Sequence, residues 1–156
     1  VDYQGLAINS SFLTHSLAHQ IDLVRQHALS AGEGHLIATS YGAYLLMLSL
    51  IDVPSAPDRV LLISPVLGTA IVPTQMSRFR PPQASRLKLA IAERRVMKPS
   101  YLRIITGADD PVCCSNLARF VAKQMNIDQL DIISEAGHNL PKDILDSMLQ
   151  DFLSRS

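Results

Sequence analysis

His35-Leu36-Ile37-Ala38-Thr39-Ser40-Tyr41-Gly42-Ala43-Tyr44-Leu45-Leu46-Met47-Leu48-Ser49-Leu50-Ile51 is the stretch whose reading decides the fold. Its first five residues make an apolar strand, and from about Tyr41 the residues suit an apolar helix. Ser40 stands between them, with Ala38 two residues before and Gly42 two residues after. A strand that turns this sharply into a helix crowds the backbone at those two positions, which asks for alanine or glycine there. The turn reads as a nucleophile elbow. It presents the serine hydroxyl at the carboxyl edge of a sheet and sets the Tyr41 amide at a helix N-terminus, where negative charge is favoured. Serine is also a common helix N-cap, so the pentapeptide needs support from elsewhere in the chain.

Two later segments supply it. Tyr101-Leu102-Arg103-Ile104-Ile105-Thr106 has the composition of a strand and runs into Gly107-Ala108-Asp109-Asp110-Pro111-Val112, an acid-bearing turn. Leu130-Asp131-Ile132-Ile133 is a further strand candidate and ends in Ser134-Glu135-Ala136-Gly137-His138-Asn139. A serine, an aspartate and a histidine therefore follow three strands in that chain order.

This arrangement resembles the α/β-hydrolase family, in which a nucleophile, an acid and a histidine occur in that order. The resemblance rests on Ala38–Gly42 around Ser40, Gly107–Val112 around Asp110 and Glu135–Leu140 around His138, and it spans nearly the whole chain. It implies catalytic roles for Ser40, Asp110 and His138, with the Tyr41 backbone amide as an oxyanion donor. The family places its acid three residues after the turn glycine, which selects Asp110, with Asp109 as the alternative. The implied activity is that of a serine esterase acting on a small acyl ester, with thioesterase, lipase and peptidase left open, and with no cofactor and no metal. A ligand-binding protein on the same fold is the alternative, and an unrelated doubly wound domain in which the three side chains never meet is a third.

The chain has 156 residues, of which 47% are hydrophobic, and its mean hydropathy is +0.17. A chain of this size can bury about 70% of its unfolded surface in one core, and a single domain over residues 1–156 is expected. Fourteen basic residues balance fourteen acidic ones. No net field attracts a polyanion, which argues against nucleic acid as a partner. No run approaches the roughly 20 apolar residues of a membrane span, and Val1-Asp2-Tyr3-Gln4-Gly5 has no signal-peptide pattern. A cytoplasmic location is the expectation. The cysteines are the neighbours Cys113 and Cys114, a pair that closes only into a strained ring; they read as small space-filling residues at a helix start rather than as a redox switch.

Strands alternating with helices predict a mostly parallel sheet flanked by helices, an α/β-hydrolase-like fold reduced to its C-terminal strands. Leu17, Ile21, Val24 and Ala28 recur at helical spacing, with Gln20 and Arg25 elsewhere on the wheel, and predict one helix over Phe12–Ser30. Arg59–Ser64 is a nearly continuous apolar run that suits a strand covered on both faces. Residues 69–99 take the place of a short lid, a proline-containing loop followed by a helix from Ala84 to Met97. Asn116–Met125 and a segment from about Lys142 are further helices. Arg94 and Arg95 either face a substrate from the lid or form its solvated side. His15 and His19 sit four residues apart with no nearby acidic or cysteine ligand, so a solvated face is favoured over a metal site.

One part of the family pattern is missing. The strand that carries the second oxyanion amide lies upstream of any segment present, and nothing in Val1–Asn9 matches it. Its absence leaves Leu36–Thr39 at a sheet edge, which invites pairing with another chain. Either a longer chain or homo-oligomerisation through that edge would supply the neighbour.

Overall fold

The structure, a computed structural model, describes residues 4–32, 34–68 and 81–154. Four parallel strands form its sheet in the order of the chain: β1 (His35–Thr39), β2 (Arg59–Ile63), β3 (Tyr101–Gly107) and β4 (Gln129–Ile133). The register places His35 beside Arg59, Arg59 beside Tyr101, and Arg103 beside Gln129. All four strands thus end at one edge, where Thr39 pairs with Ile63 and Gly107 with Ile133.

Alternation of side chains sorts the strand residues onto two faces. Leu36, Ala38, Val60, Leu62, Leu102, Ile104 and Leu130 pack with four helices: α2 (Leu17–Ser30), α3 (Ser40–Ser49), α4 (Ala84–Ala92) and α5 (Ser115–Met125). Leu61, Ile63, Tyr101, Ile105 and Ile133 face α6 (Lys142–Ser154), whose Phe152 is fully buried. The interior strands β2 and β3 are covered on both sides, which explains their unbroken apolar runs. Arg103 is the exception within β3. Its guanidinium is buried between Asp131 on β4, at 2.8 Å, and Asp151 on α6, at 2.7 Å, so one cation ties the last helix to the sheet.

Three expectations change. The helix predicted over Phe12–Ser30 is two, α1 (Ser10–Leu13) and α2, because local side chains cap the backbone between them. Asn9 accepts from the Phe12 amide, the Thr14 hydroxyl donates to the Ser11 carbonyl, and Ser16 accepts from the His19 amide. Such bonds compete with the helical ladder. The helix predicted from Ala84 to Met97 stops at Ala92, since Arg94 adopts a left-handed conformation with φ +58°. The chain then turns back so that Val96 bridges Ile51. Finally, Leu87, Ala90 and Ile91 are buried in the core, so α4, the second part of the expected lid, takes part in the main packing. The first part of the expected lid, residues 69–80, lies outside the described residues.

Among the described residues β1 pairs with β2 alone, and Ile37 on its α6-side face is 38% exposed. No helix of the described residues is long and apolar enough to cross a membrane.

Phe152 closes the α6 face against Tyr101 and His35, and the Arg59 guanidinium lies 5.8 Å from the centre of its ring. Phe152→Ala is expected to cost about 3–5 kcal/mol, read as a lower urea midpoint with an unchanged slope.

Candidate active site

Ser40 follows β1 directly and opens α3 with φ +47°, a left-handed conformation that strains any side chain bearing a Cβ. The strain is located at the serine itself. A Cβ on Gly42 would meet Ile8 at 3.5 Å, an ordinary contact, so the crowding anticipated two residues on is mild. The Tyr41 amide comes next, in the first turn of α3, where helical N–H groups lack acceptors within the helix. The Tyr41 ring stacks on Tyr44 at 5.8 Å, and its hydroxyl donates to Gln20 Oε1.

Gly107 ends β3 because nothing larger fits. A Cβ there would lie 2.1 Å from the Ala136 carbonyl oxygen and 2.3 Å from that of Gly137. The close approach lets the loop after β4 fold directly onto the loop after β3. The Ala108 amide donates to Ile133 and the Asp109 amide to Ala136, which holds the two loops together.

Asp110 is thereby placed in the interior, 1% exposed, whereas Asp109 is exposed. Burial raises the Asp110 pKa, but bonds from His138 and from the Cys113 and Val112 amides outweigh it and leave the carboxyl below the usual aspartate range. Both amides donate to Oδ1 at 2.8 Å. Oδ2 lies 2.9 Å from His138 Nδ1. An ionised carboxylate only accepts, so His138 donates to it through Nδ1–H, and Nε2 is the nitrogen that faces Ser40. Ser40 Oγ stands 2.9 Å from that Nε2. The structure therefore brings Ser40, His138 and Asp110 into one hydrogen-bonded line, and Asp109 is not part of it. The His138 side chain keeps 28% exposure while that of Asp110 has none, so the line runs from solvent into the protein.

Of the remaining sequence candidates, Cys113 reaches this line through its backbone amide, while Arg95, His15 and His19 make their contacts elsewhere. Arg95 pairs with Asp52 and Glu93 and clips the loop after α4 to the loop after α3. His15 and His19 contact each other edge to face, and no group of three or more metal-ligating side chains occurs among the described residues. Cys113 is buried and its thiol is pushed up to about 12, chiefly by desolvation; Cys114 caps α5 and both are free thiols.

Two residues escaped the sequence reading. Gln20, placed on the polar side of its helix, is buried, donates to the His15 carbonyl and accepts from Tyr41. Ser64, directly after β2, donates to the carbonyl of His138 at 2.8 Å. Its one sequence signal is a polar residue between an apolar strand and Pro65.

The fold and this geometry define the α/β-hydrolase class, and solved structures agree on the fold. The chain superposes on the monoacylglycerol lipase of Paleococcus ferrophilus with a TM-score of 0.67 at 11% identity, covering 91% of this chain and 77% of that one. A predicted CIB-like hydrolase of Thermoplasma acidophilum gives 0.61 at 16% identity, over 90% of this chain and 60% of the other. A putative yden-like hydrolase of Pectobacterium atrosepticum gives 0.58 at 19% identity, over 89% and 70%. No curated protein matches the chain in sequence. The serine hydrolase family model matches residues 12–145, and the chain belongs to that family.

Two outcomes follow from the packing of the acid and histidine loops. Gly107→Ala forces a methyl group against two backbone oxygens and is expected to cost about 1–3 kcal/mol in chemical unfolding. The depressed pKa of Asp110 stabilises the fold above its unfolded value near pH 4, and that contribution disappears as pH falls through the folded value. The thermal midpoint of Asp110→Asn should therefore fall less steeply than that of the parent as the pH drops below about 4.

Proposed function

We propose that the chain is a serine hydrolase that cleaves a small carboxylic ester, with Ser40 as nucleophile, His138 as general base and acid, and Asp110 as the residue that orients His138. The observation that carries this reading is the continuous line from Ser40 Oγ through both nitrogens of His138 to Asp110, with 2.9 Å at each step. His138 Nε2 takes the hydroxyl proton as Oγ attacks the ester carbonyl. The developing oxyanion lies at the N-terminus of α3, where the Tyr41 amide donates to it and the helix dipole favours its charge. His138 then returns the proton to the leaving alkoxide. Water, deprotonated by the same nitrogen, hydrolyses the acyl-enzyme and restores Ser40. Asp110 stays ionised throughout and stabilises the imidazolium.

The ester reading draws on chemistry and charge. A chain with no net charge has no general field to concentrate an anionic substrate, and an uncharged acyl group suits it. Among α/β-hydrolase activities, carboxylesterase is the simplest that these residues perform without a cofactor.

Fluorophosphonate labelling followed by intact-mass measurement tests the assignment. The parent protein should gain one label, and Ser40→Ala and His138→Ala should gain none. Asp110→Asn should label on the order of 10²–10⁴ slower. A folded parent that takes no label overturns the enzyme reading and leaves ligand binding on the same fold.

A further inference from the structure

We propose that Ser64 is a positioning residue of the Ser40–His138–Asp110 line, bracketing its two proton-exchanging members from the end of β2; this rests on the function proposed above. β2 lies between the strands that carry Ser40 and Asp110, and the chain leaves it through Ser64-Pro65-Val66. The Ser64 hydroxyl donates to the His138 carbonyl at 2.8 Å. Two residues on, the Val66 amide donates to the Ser40 carbonyl at 3.2 Å. Ser40 and His138, 98 residues apart in the chain, are thus held at their backbone carbonyls by one tripeptide, through the Ser64 hydroxyl and the Val66 amide, as well as by the bond between their side chains.

The tripeptide is well fixed. Ser64 is 3% exposed, and its amide extends the β2 ladder to the Ile105 carbonyl at 2.8 Å. Pro65 restricts its own φ, and Val66 is buried in the core. Ser64 also carries φ +43°, a conformation that glycine adopts without strain. A hydroxyl is present where the backbone alone would favour glycine, and its acceptor is the carbonyl of the histidine that faces Ser40. The other loop contacts, from Ala108 to Ile133 and from Asp109 to Ala136, fix the approach to His138 but leave its own carbonyl to Ser64.

Strain separates the positioning role from a merely structural one. Ser64→Gly removes the hydroxyl and relieves the left-handed conformation, so the fold survives, while Ser64→Ala removes the hydroxyl and keeps the strain. Two readouts are compared with the parent: the second-order rate of fluorophosphonate labelling, and the downfield proton resonance of His138 Nδ1–H, identified by its loss in His138→Gln. Both variants are expected to label about 10–100-fold more slowly and to broaden or shift the Nδ1–H signal, with the thermal midpoint of Ser64→Gly no lower than that of Ser64→Ala. With p-nitrophenyl acetate the loss should fall on kcat rather than KM. An unchanged Nδ1–H signal in Ser64→Gly overturns the bracket, whatever the labelling rate. Absence of the signal from the parent overturns it as well. A parent that shows the signal but takes no label, with the signal disturbed in Ser64→Gly, overturns the hydrolase reading and leaves the bracket standing.

Discussion

A parallel strand reaches its neighbour only by carrying the chain back over one face of the sheet, and for L-residues that return is right-handed. Where the strands are laid down in the order β1, β2, β3, β4, each return passes over the same face. The connecting helices α3, α4 and α5 accordingly share one core. Among the described residues α6, which follows β4, covers the other face, where Phe152 and the Arg103 carboxylate pairs hold it. The same constraint gathers every strand's carboxyl end at one edge. Ser40, Ser64, Asp110 and His138 all follow strand ends there, and their meeting is a consequence of topology before it is one of side-chain chemistry.

What topology brings near, burial of a carboxylate makes specific. Asp110 is out of contact with water, and an unpaired charge in that position is costly. Two backbone amides of its own turn occupy one oxygen, and the other is left for the imidazole of His138. That division fixes the tautomer of the histidine and hence which nitrogen faces Ser40. The neighbouring Gly107 contributes by having no side chain, since the histidine loop occupies the space a methyl group would take.

Much of this was legible in the sequence, because Ser40, Asp110 and His138 are each placed by turns whose local residues announce them. The choice of Asp110 over Asp109 was legible only through the family's spacing; in the structure it follows from the tight packing at Gly107. Ser64 was illegible since its acceptor lies 74 residues away in a loop that no local pattern links to it. Gln20 looked polar on its helical wheel, yet its amide finds partners inside the protein and its burial depends on Tyr41 from another helix. The break between α1 and α2 was present as Ser16, a good cap, just ahead of the periodic residues that start at Leu17, but the predicted helix begins at Phe12. The place of α4 in the core was written in the spacing of Leu87, Ala90 and Ile91, and the family's custom of a lid at that position drew attention away from it.

Sequential strand order also has a bearing on how the molecule comes into being. Synthesis delivers the strands in the order in which they lie in the sheet, β1 first and β4 after the rest. The strained turn at Ser40 lies between β1 and α3, while the imidazole that meets its hydroxyl follows β4, 98 residues later in the chain. A fragment that ends before β4 lacks the imidazole that stands 2.9 Å from the Ser40 hydroxyl. Docking of β4 and the loop behind it is therefore what completes the hydrogen-bonded line at the serine.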